Sequence, residues 1–371
     1  FERLPGEIQI EDLIKNIKPL CREAVEFSKK RWDLIAKPIK GLGKLEDAVS
    51  RLNGIYKTTG RIELKPALVV MCGDHGVVAE GVTQTDSSVT KNVMYNFENK
   101  ESTAAIMASL CGIDVFVADM GVNCERSENK ILIPFKVCDR KIDMGTKNLL
   151  KTDAMTREQF EAAVRTGVNV VKDLKNQGYN FILTGEMGIG NTTTSAVITC
   201  ALLNKNPDDV TGRGAGLSKS GFERKKLVIK SALKRIGPMI DKSDVVGICS
   251  SCGGFEIAAM TGLFIGGALY GVPVMCDGFI SLAAALSAVK IAPECKGYIF
   301  GSHLSAEPAV ECLTKALDID VYVNCGMHLG EGTGAVSAFP LFKMACGVYN
   351  DMVTFNDIKI EAYKNFAEEE L

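Results

Sequence analysis

Short apolar runs, each followed by a glycine-bearing turn and a helical stretch, recur along most of this chain and limit its fold more than any other feature. The runs are Ala67–Met71, Asp114–Ala118, Phe181–Leu183, Val272–Met275, Tyr298–Phe300 and Val321–Val323. A strand covered on both faces reads as a continuous apolar run, and alternation with helices is what parallel pairing requires. The pattern therefore predicts an α/β fold with a mostly parallel sheet of about six strands and helices on both faces. The two ends break the pattern. Residues 10–57 show charged helical spacing with a break near Lys37-Pro38, and residues 355–371 return to that character.

Ligands of open parallel sheets sit beyond the carboxyl ends of the strands, so the segments there carry the functional reading. After Phe181–Leu183 comes Gly185-Glu186-Met187-Gly188-Ile189-Gly190-Asn191-Thr192-Thr193-Thr194, a glycine-rich turn opening a helix. Unpaired N–H groups at a helix start favour an anion. Gly185 to Thr192 fits the G-x-x-x-x-G-K-[ST] phosphate-loop frame except that Asn191 stands at the lysine position. Lacking that lysine, Gly188, Gly190, Asn191, Thr192 and Thr193 suit a single phosphate rather than a triphosphate. A turn that only joins strand to helix has the same local composition. Gly212-Arg213-Gly214, with Lys225 downstream, reads equally well as help for a phosphate or as a solvated turn and helix face.

Glu186 and Glu331 each lie in a glycine-dense loop, where close approach of a ligand excludes water and raises a carboxyl pKa toward that of a general base. Paired carboxylates of this kind suit chemistry at a glycosidic carbon, although turn capping or solvent exposure is the plainer reading. Asp74-His75 is an acid–base candidate whose two side chains, being adjacent in a loop, are as readily turned apart. The three histidines have no metal-ligand spacing and Cys249-Ser250-Ser251-Cys252 has no second pair, so no metal is expected. No G-x-S-x-G suggests a hydrolase.

With 43 basic and 45 acidic residues and no basic cluster interleaved with aromatics, nucleic acid is not an expected partner. The thirteen cysteines, many inside apolar runs, read as buried thiols of a reducing compartment. Residues 1–7 have no basic or apolar leader pattern, and the expected location is the cytosol. Ile257–Cys276 is uncharged and long enough to span a membrane, but Gly271-Val272-Pro273 breaks it. Buried helix is the better reading, with Gly262 and Gly266 admitting a second helix or a second subunit.

Taken in order, Gly73-Asp74-His75-Gly76-Val77 with Glu80-Gly81-Val82, Asp119-Met120-Gly121-Val122, Gly145-Thr146-Lys147-Asn148, Gly185 to Thr193, Gly212-Arg213-Gly214, Gly253 to Ala258, Asp277-Gly278-Phe279, Ser302 to Pro308 and Leu329 to Gly334 resemble one family. It is the nicotinate-nucleotide:dimethylbenzimidazole phosphoribosyltransferase family of cobamide lower-ligand synthesis, and the likeness runs from about residue 40 to 345. The resemblance implies a Rossmann-like catalytic domain over 63–340 and a small helical domain built from 1–62 and 341–371. It implies transfer of phosphoribose from nicotinate mononucleotide to a benzimidazole, purine or phenolic base, with no cofactor. In that frame Glu331 is the general base, Glu186 a second carboxylate, and Gly188 to Thr193 the phosphate turn, with Gly212 and Lys225 nearby. Thr85, Val93 and Met187 fall near positions that line the base pocket. A dimer is implied, either of identical chains or with a paralogue. Two departures stand out: His328 replaces the arginine common there, and Thr83–Thr90 lacks the usual proline. They leave room for a low-activity partner subunit of a heteromeric enzyme.

Overall fold

A computed structural model describes residues 10–214 and 216–363. The chain divides into two compact units, one holding the described residues up to Lys18 with Lys65–Ser337, the other Pro19–Leu64 with the residues from Ala338 on.

The larger unit is built on a six-stranded sheet in the order β3-β2-β1-β4-β5-β6. Its strands are β1 (Pro66–Gly73), β2 (Asp114–Gly121), β3 (Val137–Asp139), β4 (Phe181–Met187), β5 (Val274–Met275) and β6 (Ile299–Phe300), all paired in parallel. Every residue of β1 is buried, and since successive side chains point to opposite faces, the sheet is covered on both. The chain starts in the middle, at β1, and winds outward both ways. The strand order reverses between β1 and β4, and a crevice opens at such a switch point. Met71 pairs with Glu186 there, so the glycine-rich turn after β4 leaves the sheet beside the Gly73-Asp74 turn after β1.

Two elements differ from the sequence expectation. Val137–Asp139 pairs only with β2, and an edge strand of three residues needs no long apolar run to announce it. Val321–Val323, expected as a strand, is half-buried and makes only an isolated bridge from Val323 to His303. It serves as a clasp: Tyr322 N–H donates to Ser302 O at 2.8 Å and Leu304 N–H to Val323 O at 2.8 Å, which fixes the turn after β6.

The helices Arg157–Asn176 and Phe255–Tyr270 cross at contact distance because glycines remove the side chains between them. A Cβ on Gly167 would lie 1.9 Å from Ala259 O, and one on Gly262 would lie 2.0 Å from Val164 O. Gly262 and Gly266 thus admit a helix of the same chain, not a second subunit. Among the described residues no helix is long and apolar enough to cross a membrane. No disulfide joins any of the thirteen cysteines among the described residues. Cys249 and Cys252 share the helix Val245–Cys252, and burial pushes their thiols up to about 11 and about 12. No group able to hold a metal occurs among the described residues.

In the smaller unit, Arg22–Leu34 and Lys44–Tyr56 form helices joined through the Lys37-Pro38 break. Trp32 Nε1 donates to Glu46 O at 3.1 Å, and the Glu46 carboxylate meets Lys37 Nζ at 2.6 Å. The late part of the helix Thr333–Asp351 joins them, with Arg31 donating to Tyr349 O at 2.8 Å. Residues 355–363, expected to be helical, are turns and extended chain held by Phe355 N–H on Leu34 O at 3.0 Å. Ile358 and Ile360 there stay exposed, so the segment buries no apolar face of the kind that would hold a helix against a neighbour. Residues 364–371 of that expectation lie outside the described ones.

Candidate active site

β4 delivers Glu186 and Met187 to the crevice, then Gly188-Ile189-Gly190 turns the chain into the helix Asn191–Leu203. Gly190 has φ +100, a conformation that favours glycine, and any Cβ there would lie 3.0 Å from Val78 Cγ2. Ile189 N–H donates to Thr90 Oγ1 at 3.1 Å and Asn191 N–H to Gly188 O at 3.0 Å. The N–H groups of Gly190 and Thr192 meet no acceptor among the described residues. They are the kind of donors an anion takes up at a helix start.

The lysine missing from the loop arrives from another helix. Lys225, on Lys219–Arg235, places Nζ 2.8 Å from Thr192 Oγ1 and 3.1 Å from Gly212 O. It is 1% exposed, and burial lowers its pKa to about 8 against the opposing pull of Glu307. Asn191, at the vacated lysine position, instead donates its side-chain amide to the Glu186 carboxylate.

Glu186 is buried, and burial first, then Asp277 and Glu256, raise its pKa to about 8. Its Oε1 faces the backbone of the second loop, 3.5 Å from Glu331 N. In that loop Gly330, Glu331 and Gly332 have φ of +85, +63 and +93. Three left-handed residues in a row, one of them not glycine, need an external clamp. Asp277 supplies it: its carboxylate accepts from the N–H groups of Gly332 at 3.1 Å, Gly334 at 2.7 Å and Ala335 at 3.2 Å. Asp277 sits just past β5 and is itself held by Thr184 Oγ1 and Ser281 Oγ, each 3.1 Å from its N. Burial raises the Glu331 pKa, the Ala104 N–H works against that, and Asp277 adds to it. Glu331 Oε2 finds no partner among the described residues.

A single cavity of about 290 Å³ takes in Glu186, Glu331, Gly188, Gly190, Asn191, Thr192 and Lys225, and also Thr85, Val93 and Met187. Two of the expected residues are not on its wall. Thr193 is buried, and Gly212 contributes only its carbonyl to Lys225. Arg213 lines the cavity while donating to Leu217 O at 2.9 Å. His328 is exposed at the rim, with Nδ1 3.2 Å from Gly326 O. Asp74 and His75 do turn apart: Asp74 accepts from Asn123 N at 2.7 Å, and His75 pairs with Glu256. Sequence reasoning placed Asp277 and Glu307 in motifs without assigning them work. The available signal for Asp277 was its position, a lone charge ending the uncharged run from Ile257 at the carboxyl end of a strand.

A protein-family model described as Phosphoribosyltransferase matches residues 17–360. The nicotinate-nucleotide–dimethylbenzimidazole phosphoribosyltransferase of Ruminiclostridium cellulolyticum is 42% identical over 354 residues, covering 95% of this chain and 98% of its own. The enzyme of that name from Clostridium acetobutylicum is 40% identical, covering 96% of this chain and 99% of its own. The crystal structure of CobT from Thermus thermophilus superposes with a TM-score of 0.85 at 34% identity, covering 91% of this chain and 99% of the other. The fold, the cavity at its switch point and these likenesses agree: the chain belongs to the nicotinate-nucleotide–dimethylbenzimidazole phosphoribosyltransferase family.

Proposed function

We propose that this phosphoribosyltransferase moves phosphoribose from nicotinate mononucleotide to an aromatic base, dimethylbenzimidazole or a purine or phenolic relative, in the making of a cobamide lower ligand. One observation carries the reading: a phosphate-type turn with its lysine and two carboxylates open onto the same cavity. The donor phosphate lies at the Gly188–Thr192 turn against Lys225. The acceptor lies among Thr85, Val93 and Met187. Its ring nitrogen, or the hydroxyl oxygen of a phenolic acceptor, attacks the anomeric carbon from the face opposite nicotinate, forming the new bond as the old one breaks. Nicotinate leaves with the electron pair as a neutral pyridine, and the acceptor proton passes to Glu331. Attack from the opposite face inverts the centre and gives an α-riboside phosphate. Nicotinate is a good leaving group from the pyridinium state, so alignment and proton removal are the protein's main contributions.

The test is incubation of the purified chain with nicotinate mononucleotide and a panel of benzimidazole, purine and phenolic bases, with nicotinate and riboside phosphate separated by chromatography. Equal release of both with at least one base is expected. If no base gives turnover until a paralogous chain is added, the protein is instead the partner subunit of a heteromeric enzyme.

A further inference from the structure

Behind the phosphate turn, outside the cavity lining, lies a buried pair that the transfer chemistry does not use. His75, following β1, and Glu256, in the first turn of Phe255–Tyr270, meet at 2.6 Å between Nε2 and Oε1, with both side chains 0% exposed. Glycines close around them. A Cβ on Gly188 would lie 3.1 Å from His75 Nε2 and 3.4 Å from Glu256 Oε1. One on Gly190 would lie 3.2 Å from His75 Cβ, one on Gly254 2.3 Å from His75 Cε1, and one on Gly73 3.0 Å from Glu256 Oε2. No layer of side chains separates the pair from the turn.

The remaining polar atoms of the pair, His75 Nδ1 and Glu256 Oε2, have no partner among the described residues. Removing either member therefore leaves the other buried and unsatisfied. Stability alone gives little reason for such a pair, since apolar residues of similar volume usually do as well. What apolar residues do not supply is a directed bond that fixes two elements at one separation. The backbone of Asp74, next to His75, is pinned by its N–H to Gly121 O at 3.0 Å and its O to Thr146 N at 2.9 Å. The pair is thus a fixed platform on which the turn rests.

We propose that His75 and Glu256 are positioning residues whose mutual bond sets the height of the Gly188–Gly190 turn, and with it the fit of the donor phosphate. The proposal rests on the phosphate assignment made above. It predicts that Glu256→Leu and His75→Leu, which keep much of the volume but cannot make the bond, weaken binding of inorganic phosphate, measured by calorimetric titration, by about tenfold, the order expected when a buried group loses its partner. The KM for nicotinate mononucleotide rises in parallel, while the KM for the base stays within about twofold. Wild-type phosphate affinity in both variants, with only the melting temperature lowered, overturns the proposal. Wild-type protein that binds phosphate yet releases no nicotinate fails the transfer reading and leaves the positioning role standing. If the variants do not fold, the wild type labelled at its three histidine rings serves instead. The His75 ring signal, assigned by eliminating those of His303→Gln and His328→Gln, must shift on phosphate saturation. A His75 signal that does not move overturns the platform.

Discussion

Two glycine-rich loops of the larger unit each open a helix, yet they use their backbone donors in opposite ways. The turn before Asn191–Leu203 leaves the N–H groups of Gly190 and Thr192 without acceptors among the described residues. The loop before Thr333–Asp351 gives three N–H groups to Asp277. A helix start whose donors are already taken by a carboxylate is a poor phosphate site, so of these two loops the first is the one that suits the donor phosphate proposed above. The second gains something else: a clamp that holds Glu331 in the left-handed region and leaves one of its oxygens without a partner among the described residues. Similar glycine content therefore leaves backbone donors open in one place and clamps a carboxylate-bearing loop in the other, the contrast on which the proposed binding and catalytic roles rest. A carboxylate from a third strand end makes the difference.

The sharpest way to break this comparison is Glu331→Gln. As the proposed general base, Glu331 is expected to contribute about 10² to 10⁴ in rate, so kcat should fall by that much while the KM for nicotinate mononucleotide stays near the wild-type value. A kcat within a few-fold of wild type in steady-state assays would remove the catalytic loop from its role. Next in size is Asp277→Ala, which leaves three buried N–H groups without their acceptor. Each such loss costs about 1–3 kcal/mol, so urea unfolding should show a loss of about 3 kcal/mol or more, with kcat falling as Glu331 loses its clamp. Inorganic phosphate should still bind to the folded fraction. Phosphate affinity lost along with kcat would mean that the two loops do not divide the work.

That division was only partly readable from the sequence. β1, β2 and β4 were legible because strands covered on both faces must be continuously apolar, and the chain has few other ways to bury Leu68, Val69 and Val70 together. The three-residue β3 is an edge with one neighbour and leaves no such trace. Val321–Val323 has strand composition but lies half-buried, a property of its surroundings rather than of its letters. The glycine-rich turn that opens Asn191–Leu203 announced itself through its glycine spacing. Lys225 stood out in the sequence beside Gly212-Arg213-Gly214, but its burial against Thr192 was not legible, because that contact spans 33 residues. The Asp277 clamp reaches 55 to 58 positions along the chain, and no local pattern encodes it.

Lys225 gives a smaller and more specific effect. Lys225→Met removes a charge-assisted donor and should raise the KM for nicotinate mononucleotide about 10- to 100-fold with a lesser change in kcat. The pH dependence has a definite sign. Burial holds the folded-state pKa at about 8, below the ordinary 10.5, so the ammonium is lost as pH rises through about 8 and phosphate affinity should fall over the same range. Titration of inorganic phosphate against pH checks this. The fall should be absent in Lys225→Met, and an identical fall in both proteins would assign it to another group.

The smallest effect concerns Glu186, a side chain that touches both loops, accepting from Asn191 of the first and facing Glu331 N of the second. Its folded-state pKa is raised from 4.5 to about 8, chiefly by burial. A raised pKa means that the folded protein holds the proton more tightly than the unfolded chain. The stability so gained is fully present below about pH 4.5 and is lost as pH rises through about 8. Glu186→Gln keeps the shape and carries no charge at any pH, so it lacks that loss. Its melting temperature relative to wild type should therefore climb between about pH 5 and pH 9, by an amount on the order of 1–3 kcal/mol in stability. A difference that stays constant across that range would mean Glu186 is already ionised in the folded protein, and the contact joining the two loops would then be one between a full carboxylate charge and the donors of both.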